Sequence, residues 1–268
     1  MKKYHLATVT PAINEHAAAG TAYSDNDVLF TWTKFDIPRG AAKLKTIQAT
    51  IAGTNGAAGN THDISLYFDR SIDGIAPPSF GTIHAATTAL LANAFRRYLI
   101  GYKLLDLSAM DDEDHLIAYN PLGSRADEVS VESDPQIILQ TDGTPFQGDS
   151  TYSATVEGYD TYWVGAIAHG AFDFGTDIQL NQGSHQAAAT AETTLTIEQG
   201  GDGAGVANNS FAVGDTLIGG TGGPTMEVTD LVTGTATSLK VKNISEQIDN
   251  DEQLLLKDPI RLYFGFEY

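Results

Sequence analysis

The residues best suited to acid–base or metal chemistry are seven histidines: His5, His16, His62, His84, His115, His169 and His185. No two are four residues apart, so no helix turn could hold a zinc ion between two imidazoles, and His-Glu-x-x-His is absent. His62 stands before a strand-like run and reads as a loop residue. Ser184 and His185 are adjacent, but a nucleophile and its base meet in space from separate elements, so adjacency carries little. Gly-x-Ser-x-Gly does not occur. With 34 Asp and Glu, some pair at glycosidase separation is always available, which makes any chosen pair uninformative without a cleft. The expectation is a non-enzymatic chain with no catalytic residue, no metal site and no cofactor.

Two acidic runs concentrate charge, Asp111-Asp112-Glu113-Asp114 and Asp249-Asn250-Asp251-Glu252. Adjacent carboxylates repel unless solvated or bound to a cation. A solvated turn is the first reading, helix-start acids and calcium the alternatives; neither run has the Asp-x-Asp-x-Asp-Gly alternation of a calcium loop. The stretch FAVGDTLIGGTGGPTMEVTDLV, residues 211–232, has the glycines of a phosphate cradle, yet no Lys-Ser/Thr and no helix follow. It reads as a turn between two strands, glycine supplying the positive φ. Aromatic residues gather at Tyr152, Tyr159, Tyr162 and Trp163 and at Tyr263, Phe264, Phe266 and Tyr268. Core packing is their first reading; subunit contact and sugar binding stay open.

Strands must position these residues. VLFTWTKF (28–35) places Val28, Phe30 and Trp32 on one face; DISLYFDR (63–70) sets Ile64, Leu66 and Phe68 against Ser65, Tyr67 and Asp69. LKTIQATI (44–51) alternates and then slips, as at a bulge or an edge. Further strands are expected over 98–107, 115–119, 129–132, 136–140, 153–157, 161–168, 176–180 and the C-terminal RLYFGFEY, and one helix over Ala85–Arg96. Short strands with Gly, Pro, Asn and Asp between them indicate a sandwich or barrel. The fold class is all-β: a jelly-roll-like antiparallel β-sandwich of residues 1–182 plus 259–268, a linker at 183–191, and a small β-barrel at 192–257 inserted before the last strand.

Charge divides the chain. Residues 1–110 hold ten Lys/Arg and eight Asp/Glu; residues 111–268 hold five and twenty-six, within a net charge of −19. So acidic a surface repels nucleic acid and anionic membranes. No stretch approaches the ~20 apolar residues of a membrane span, and MKKYHLATVTPAINEH lacks the apolar run of a signal peptide. Cysteine is absent, so disulfides and thiolate sites are excluded. The first 110 residues, with Lys2, Lys3, Lys34, Arg39, Lys43, Lys45, Arg96, Arg97 and Lys103, are expected to form one contact face. The extended N-terminus is a possible arm along a neighbour.

FAVGDTLIGGTGGPTMEVTDL resembles a small β-barrel module recurrent in virion proteins of tailed, especially marine, bacteriophages, with the pattern aromatic-x-x-Gly-Asp/Glu-x-hydrophobic-x-Gly-Gly-x-Gly-Gly; the resemblance covers about residues 193–257 and departs from the pattern at Pro224. The preceding strand run resembles the jelly-roll sandwiches of capsid decoration proteins. These resemblances imply a structural virion protein, a decoration or cement protein made in the host cytoplasm. It would sit on the capsid surface, bind the major capsid protein and assemble as a homotrimer. The alternative is a tail-fibre or baseplate protein binding a receptor glycan.

Overall fold

The computed structural model describes residues 3–13, 22–52, 62–72, 75–87, 95–105, 111–112, 117–121, 138–139, 159–172, 174, 178–180, 186–199, 211–219, 223–231, 238–249 and 252–268. Its strands are β1 (Tyr4–Val9), β2 (Val28–Pro38), β3 (Ala42–Ile51), β4 (Asp63–Arg70), β5 (Leu99–Leu105), β6 (Asp111–Asp112), β7 (Ile117–Pro121), β8 (Ile138–Leu139), β9 (Tyr159–His169), β10 (Ile178–Leu180), β11 (Thr193–Gln199), β12 (Thr216–Gly219), β13 (Thr225–Leu231), β14 (Ser238–Lys242), β15 (Leu254–Leu256) and β16 (Ile260–Glu267). The protein is all-β, and every strand pair is antiparallel.

One sheet runs β1-β16-β3-β7-β6, with β8 also beside β3; a second runs β2-β9-β4-β5. The chain crosses between these sheets from β1 to β2, β2 to β3 and β3 to β4. It turns back within the second sheet at β4–β5, crosses to the first sheet for β6, β7 and β8, crosses again to β9, and returns to the first sheet as β16. The first and last strands end side by side. This is the jelly-roll order.

Alternation fills the space between the sheets. Leu262, Phe264 and Phe266 of β16 face Phe35, Phe68 and Tyr162 of the second sheet, all buried. Phe264 has its ring centroid 5.3 Å from those of Phe35 and of Phe68, and Phe35 lies 6.0 Å from Tyr162. Each such ring contributes about 1.5–3 kcal/mol by burial. The slip in LKTIQATI is a bulge. Phe266 pairs with Leu44 and Gly265 with Thr46, so Lys45 is the extra residue.

The third sheet, β10-β11-β14-β13-β12-β15, nearly closes on itself, because Gln179 bridges Gln253 and the Leu180 N–H donates to the Glu252 carbonyl at 2.9 Å. Its own core holds Leu195, Leu217, Met226, Val228, Leu239, Val241 and Leu254. The Gly-rich stretch is its β12–β13 hairpin, closed by the Gly219 N–H on the Pro224 carbonyl at 2.8 Å.

Several expectations need correction. The strand around 176–180 belongs to the barrel, since β10 pairs with β11, and Gln186 and Ala189 of the expected linker bridge Ile248 and Ile244. The inserted unit therefore begins before residue 183. The Ala85–Arg96 helix does not start: Val28 donates to the Ala85 carbonyl and Thr87 to that of Asn26, which holds this backbone extended, and Phe95–Arg97 is one 3-10 turn. Residues 88–94 lie outside the described ones. The N-terminal arm lies along β16 of its own chain, pairing Tyr4 with Glu267 through Val9 with Leu262. Two bulges in β2 bury Val28, Leu29 and Phe30 together, ending the expected alternation. The strands expected at 129–132 and 153–157 fall outside the described residues.

Candidate functional site

The outer face of the second sheet is the part of the fold that gathers polar chemistry. Part of that face, around Trp32 and Tyr67, is roofed by the segment after β4. Phe80 lies against Trp32 (centroids 4.6 Å) and Tyr67 (5.7 Å), with Phe95 stacked 5.9 Å from Trp32. The Trp32 indole N–H anchors the roof on the Pro78 carbonyl at 2.7 Å. Gly165 of β9 makes room beneath; a Cβ there would stand 3.1 Å from the Phe80 and Trp32 rings.

At one end of this face four elements converge. The register sets Asp63 opposite His169 and Ser65 between Ile167 and Leu104. The Ser65 Oγ lies 2.5 Å from His169 Nε2 and 3.2 Å from Tyr102 Oη. His169 Nδ1 lies 3.5 Å from Asp25 Oδ1, on the β1–β2 connection. One set of directions satisfies every group: the Tyr102 hydroxyl donates to Ser65, the Ser65 hydroxyl to His169 Nε2, and His169 points its Nδ1–H at Asp25.

The order Ser–His–Asp is that of an activated nucleophile. Three observations argue against acyl transfer. Ser65 is 1% exposed, so no substrate carbonyl reaches its oxygen in this conformation. The Asp25 side chain is 66% exposed, a position from which it orients the imidazole weakly. Strand β4 is paired on both edges, which commits its N–H groups to ladders with β5 and β9 and leaves them unable to turn toward an oxyanion. The cluster works as a clamp tying β4, β5, the end of β9 and the β1–β2 connection where the chain departs for the barrel. Gly170 follows at φ +149, and a Cβ on it would strike the His62 ring.

At the other end, the Trp163 indole N–H donates to the buried Ser71 hydroxyl at 3.0 Å. Its cross-strand neighbour Asp69 is fully buried, and neither carboxylate oxygen has a hydrogen-bond partner. Burial pushes its pKa up to about 7.

The structure scatters the other candidates. His5 reaches the Asp36 carbonyl through Nε2 at 3.3 Å, His62 packs on Phe172 and His84 on Tyr23. His16, His115, Ser184 and His185 are outside the described residues. Among the described residues no three His, Asp or Glu form a possible metal cluster. Asp111 and Asp112 are not in a turn; their backbone pairs as β6 with Tyr119 and Ala118. Asp249 and Glu252 close a tight turn, the Asp249 N–H donating to Glu252 Oε2 at 2.9 Å. Glu113, Asp114, Asn250 and Asp251 lie outside the described residues. Tyr162, Trp163, Phe264 and Phe266 are buried, while Tyr268 is exposed; Tyr152 lies outside the described residues. A shallow depression of about 600 Å³ on the barrel is lined by Ala188, Ala189, Thr190, Asn243, Ile244 and Ser245, none charged. Asp25, Ser65, Asp69 and Tyr102 carried no local signal in the sequence.

The expected cations do not share one face. Lys34 pairs with Asp36 at 3.9 Å and Arg39 with buried Asp160 at 3.3 Å. Arg96 and Arg97 lie in the roof over the second sheet, while Lys43 and Lys45 belong to the first sheet. Both sheets draw strands from residues 1–110, so the cations of that half are spread over the two sheets of the sandwich.

Together these features define an all-β jelly roll carrying an inserted barrel. No protein-family model matches the sequence, and no curated protein matches it.

Proposed function

We propose that the protein is a structural, non-enzymatic component of a tailed-phage virion: a capsid decoration protein that binds the major capsid protein as a homo-oligomer, a trimer. The observation that carries this reading is the sealed sandwich. Among the described residues its interior is packed with aromatic and aliphatic side chains, and the nucleophile-like cluster is a closed clamp, so these residues offer surfaces rather than a reaction pocket. Jelly rolls serve capsids and lectins alike, which keeps one further reading in play. Leu99, Tyr102 and Leu104 form an exposed row on β5, a surface that suits a glycan-binding tail-fibre or baseplate protein.

Counting copies in purified virions separates the readings. A copy number matching the capsid lattice, with rebinding of the purified protein to stripped capsids, supports decoration. A few copies per particle support the tail. Absence from the particle overturns both.

A further inference from the structure

The outer face of the first sheet differs from the rest of this acidic molecule. Because Leu262, Phe264 and Phe266 point inward, Arg261, Tyr263, Gly265 and Glu267 of β16 point outward. Beside them lie Tyr4, Leu6 and Thr8 of β1, and Lys43, Lys45, Thr46, Gln48 and Thr50 of β3. Tyr4 is 71% exposed and Leu6 62%. Lys43, Lys45 and Arg261 form no ion pair among the described residues, and Glu267 is the one carboxylate on these three strands' outer side. Gly265 keeps the middle of the face flat; a Cβ there would collide with the Thr46 hydroxyl. Tyr4 sits across from Glu267 and Leu6 across from Gly265, with Lys43 and Lys45 on β3 beyond them, so the face joins two exposed apolar side chains to a cationic strip and has the anatomy of an interface.

The inserted barrel has the opposite character. Residues 178–258 contain eleven Asp/Glu and three Lys/Arg. Two of those cations are already taken within the barrel, Lys240 by Asp230 (3.2 Å) and Glu192 (3.7 Å), Lys242 by Glu227 (2.8 Å). Exposed Glu246 and Asp249 lie on the β14–β15 connection.

We infer that the outer face of β1-β16-β3 is a self-association surface whose occupant is the acidic inserted barrel of a second copy of this chain. Two cationic faces repel each other, so a two-fold contact of this face with itself is disfavoured. Pairing one copy's sheet with the next copy's barrel is heterologous, and such contacts close into rings when the rotation permits. The charges speed encounter and fix register, and burial of Tyr4 and Leu6 supplies the apolar centre. This inference does not rest on the decoration reading; a ring forms or fails to form whatever the particle it serves.

Sedimentation velocity on the full chain tests it, at low salt and at about 1 M salt, where screening shortens to about 3 Å. The expected result is an assembly larger than a monomer at low salt that weakens at high salt. Lys43→Glu, Lys45→Glu and Arg261→Glu together should weaken it by about 100-fold. Adding Glu246→Lys and Asp249→Lys to that same chain should recover at least tenfold of the loss, a recovery that misfolding could not produce. Tyr4→Ser with Leu6→Ser, which leaves every charge in place, should also weaken assembly by about tenfold. A monomer under all conditions overturns the inference. So does an assembly indifferent to the cation reversals, or a combined variant that recovers nothing. Loss of capsid binding by the reversed-face chain while wild type stays monomeric would assign the face to the shell instead and equally overturn it.

Discussion

Asp69→Asn is a substitution that should stabilise this protein in a pH-dependent way. The carboxylate is buried beside Trp163 with both oxygens unpartnered, and its pKa rises from 3.8 to about 7 through burial alone. An acid whose folded pKa is raised holds its proton more tightly in the native state. The native state is therefore penalised as pH climbs from about 4 toward 7, and the penalty is complete above 7. The shift corresponds to a ceiling of about 4 kcal/mol. Asparagine is close in shape to the protonated acid and never ionises. Near pH 4 the two proteins should differ by less than about 1 kcal/mol, since each buries one neutral polar group. At pH 8.5 the asparagine variant should be more stable by up to about 4 kcal/mol, about 10 °C in the melting midpoint of the sandwich. The assay is urea unfolding of both proteins across pH 4–9, read as a difference so that repulsion among the other carboxylates cancels. A difference that does not change with pH, or an asparagine variant less stable at pH 8.5, would refute the reasoning.

Three further outcomes follow from packing and topology. Ser65→Ala removes the hydroxyl between Tyr102 and His169 and should cost about 1–2 kcal/mol in denaturant unfolding, while a fluorophosphonate probe labels neither protein; labelling of wild type at Ser65 would show that the clamp opens to solvent. Gly265→Ala should destabilise by about 1–3 kcal/mol through its collision with Thr46, and Thr46→Ala in the same chain should recover most of that in a double-mutant cycle. Replacing residues 178–258 with a Gly/Ser linker should leave a sandwich that melts cooperatively, whereas truncation after Leu256 should yield an aggregating chain, because β16 is the strand between β1 and β3; equal tolerance of both cuts in a thermal scan would sink the topology argument.

The sandwich was legible where one face was wet and the other dry. DISLYFDR displayed Ile64, Leu66 and Phe68 as an inward row, and RLYFGFEY did the same for Leu262, Phe264 and Phe266, because alternation is a local signal that needs no knowledge of the partner strand. The slip in LKTIQATI was legible for the same reason. The second half of the DISLYFDR pattern misled. Ser65 and Asp69 sit where alternation predicts solvent, yet both are buried, Ser65 against Tyr102 and His169 of later strands. Polarity reports the face a residue is on, not what the rest of the chain brings against that face. The helix expected over 85–96 failed at its start through the same blindness: small and apolar residues at helical spacing also suit an extended backbone, and here the Ala85 carbonyl is claimed by the Val28 N–H of β2.

The clamp was illegible for a deeper reason. Its members come from four places separated by up to 144 positions in sequence, from Asp25 to His169. Only the jelly-roll order, which lays β9 between β2 and β4, brings them together. The same order explains why the barrel is tolerated where it stands. Phe172 is tied back to the sandwich by the Tyr23 N–H on its carbonyl at 2.8 Å, and Pro259 by the Ala52 N–H at 2.8 Å. The chain is therefore fastened on both sides of the insertion, to the β1–β2 connection on one side and to the end of β3 on the other. An insertion between two fastened points can grow without disturbing the ladders beneath it, because the sandwich experiences only the two anchors. The acidic barrel is free to diverge in charge from the sheet it interrupts, and a chain with unlike surfaces on its two units has what a heterologous ring requires.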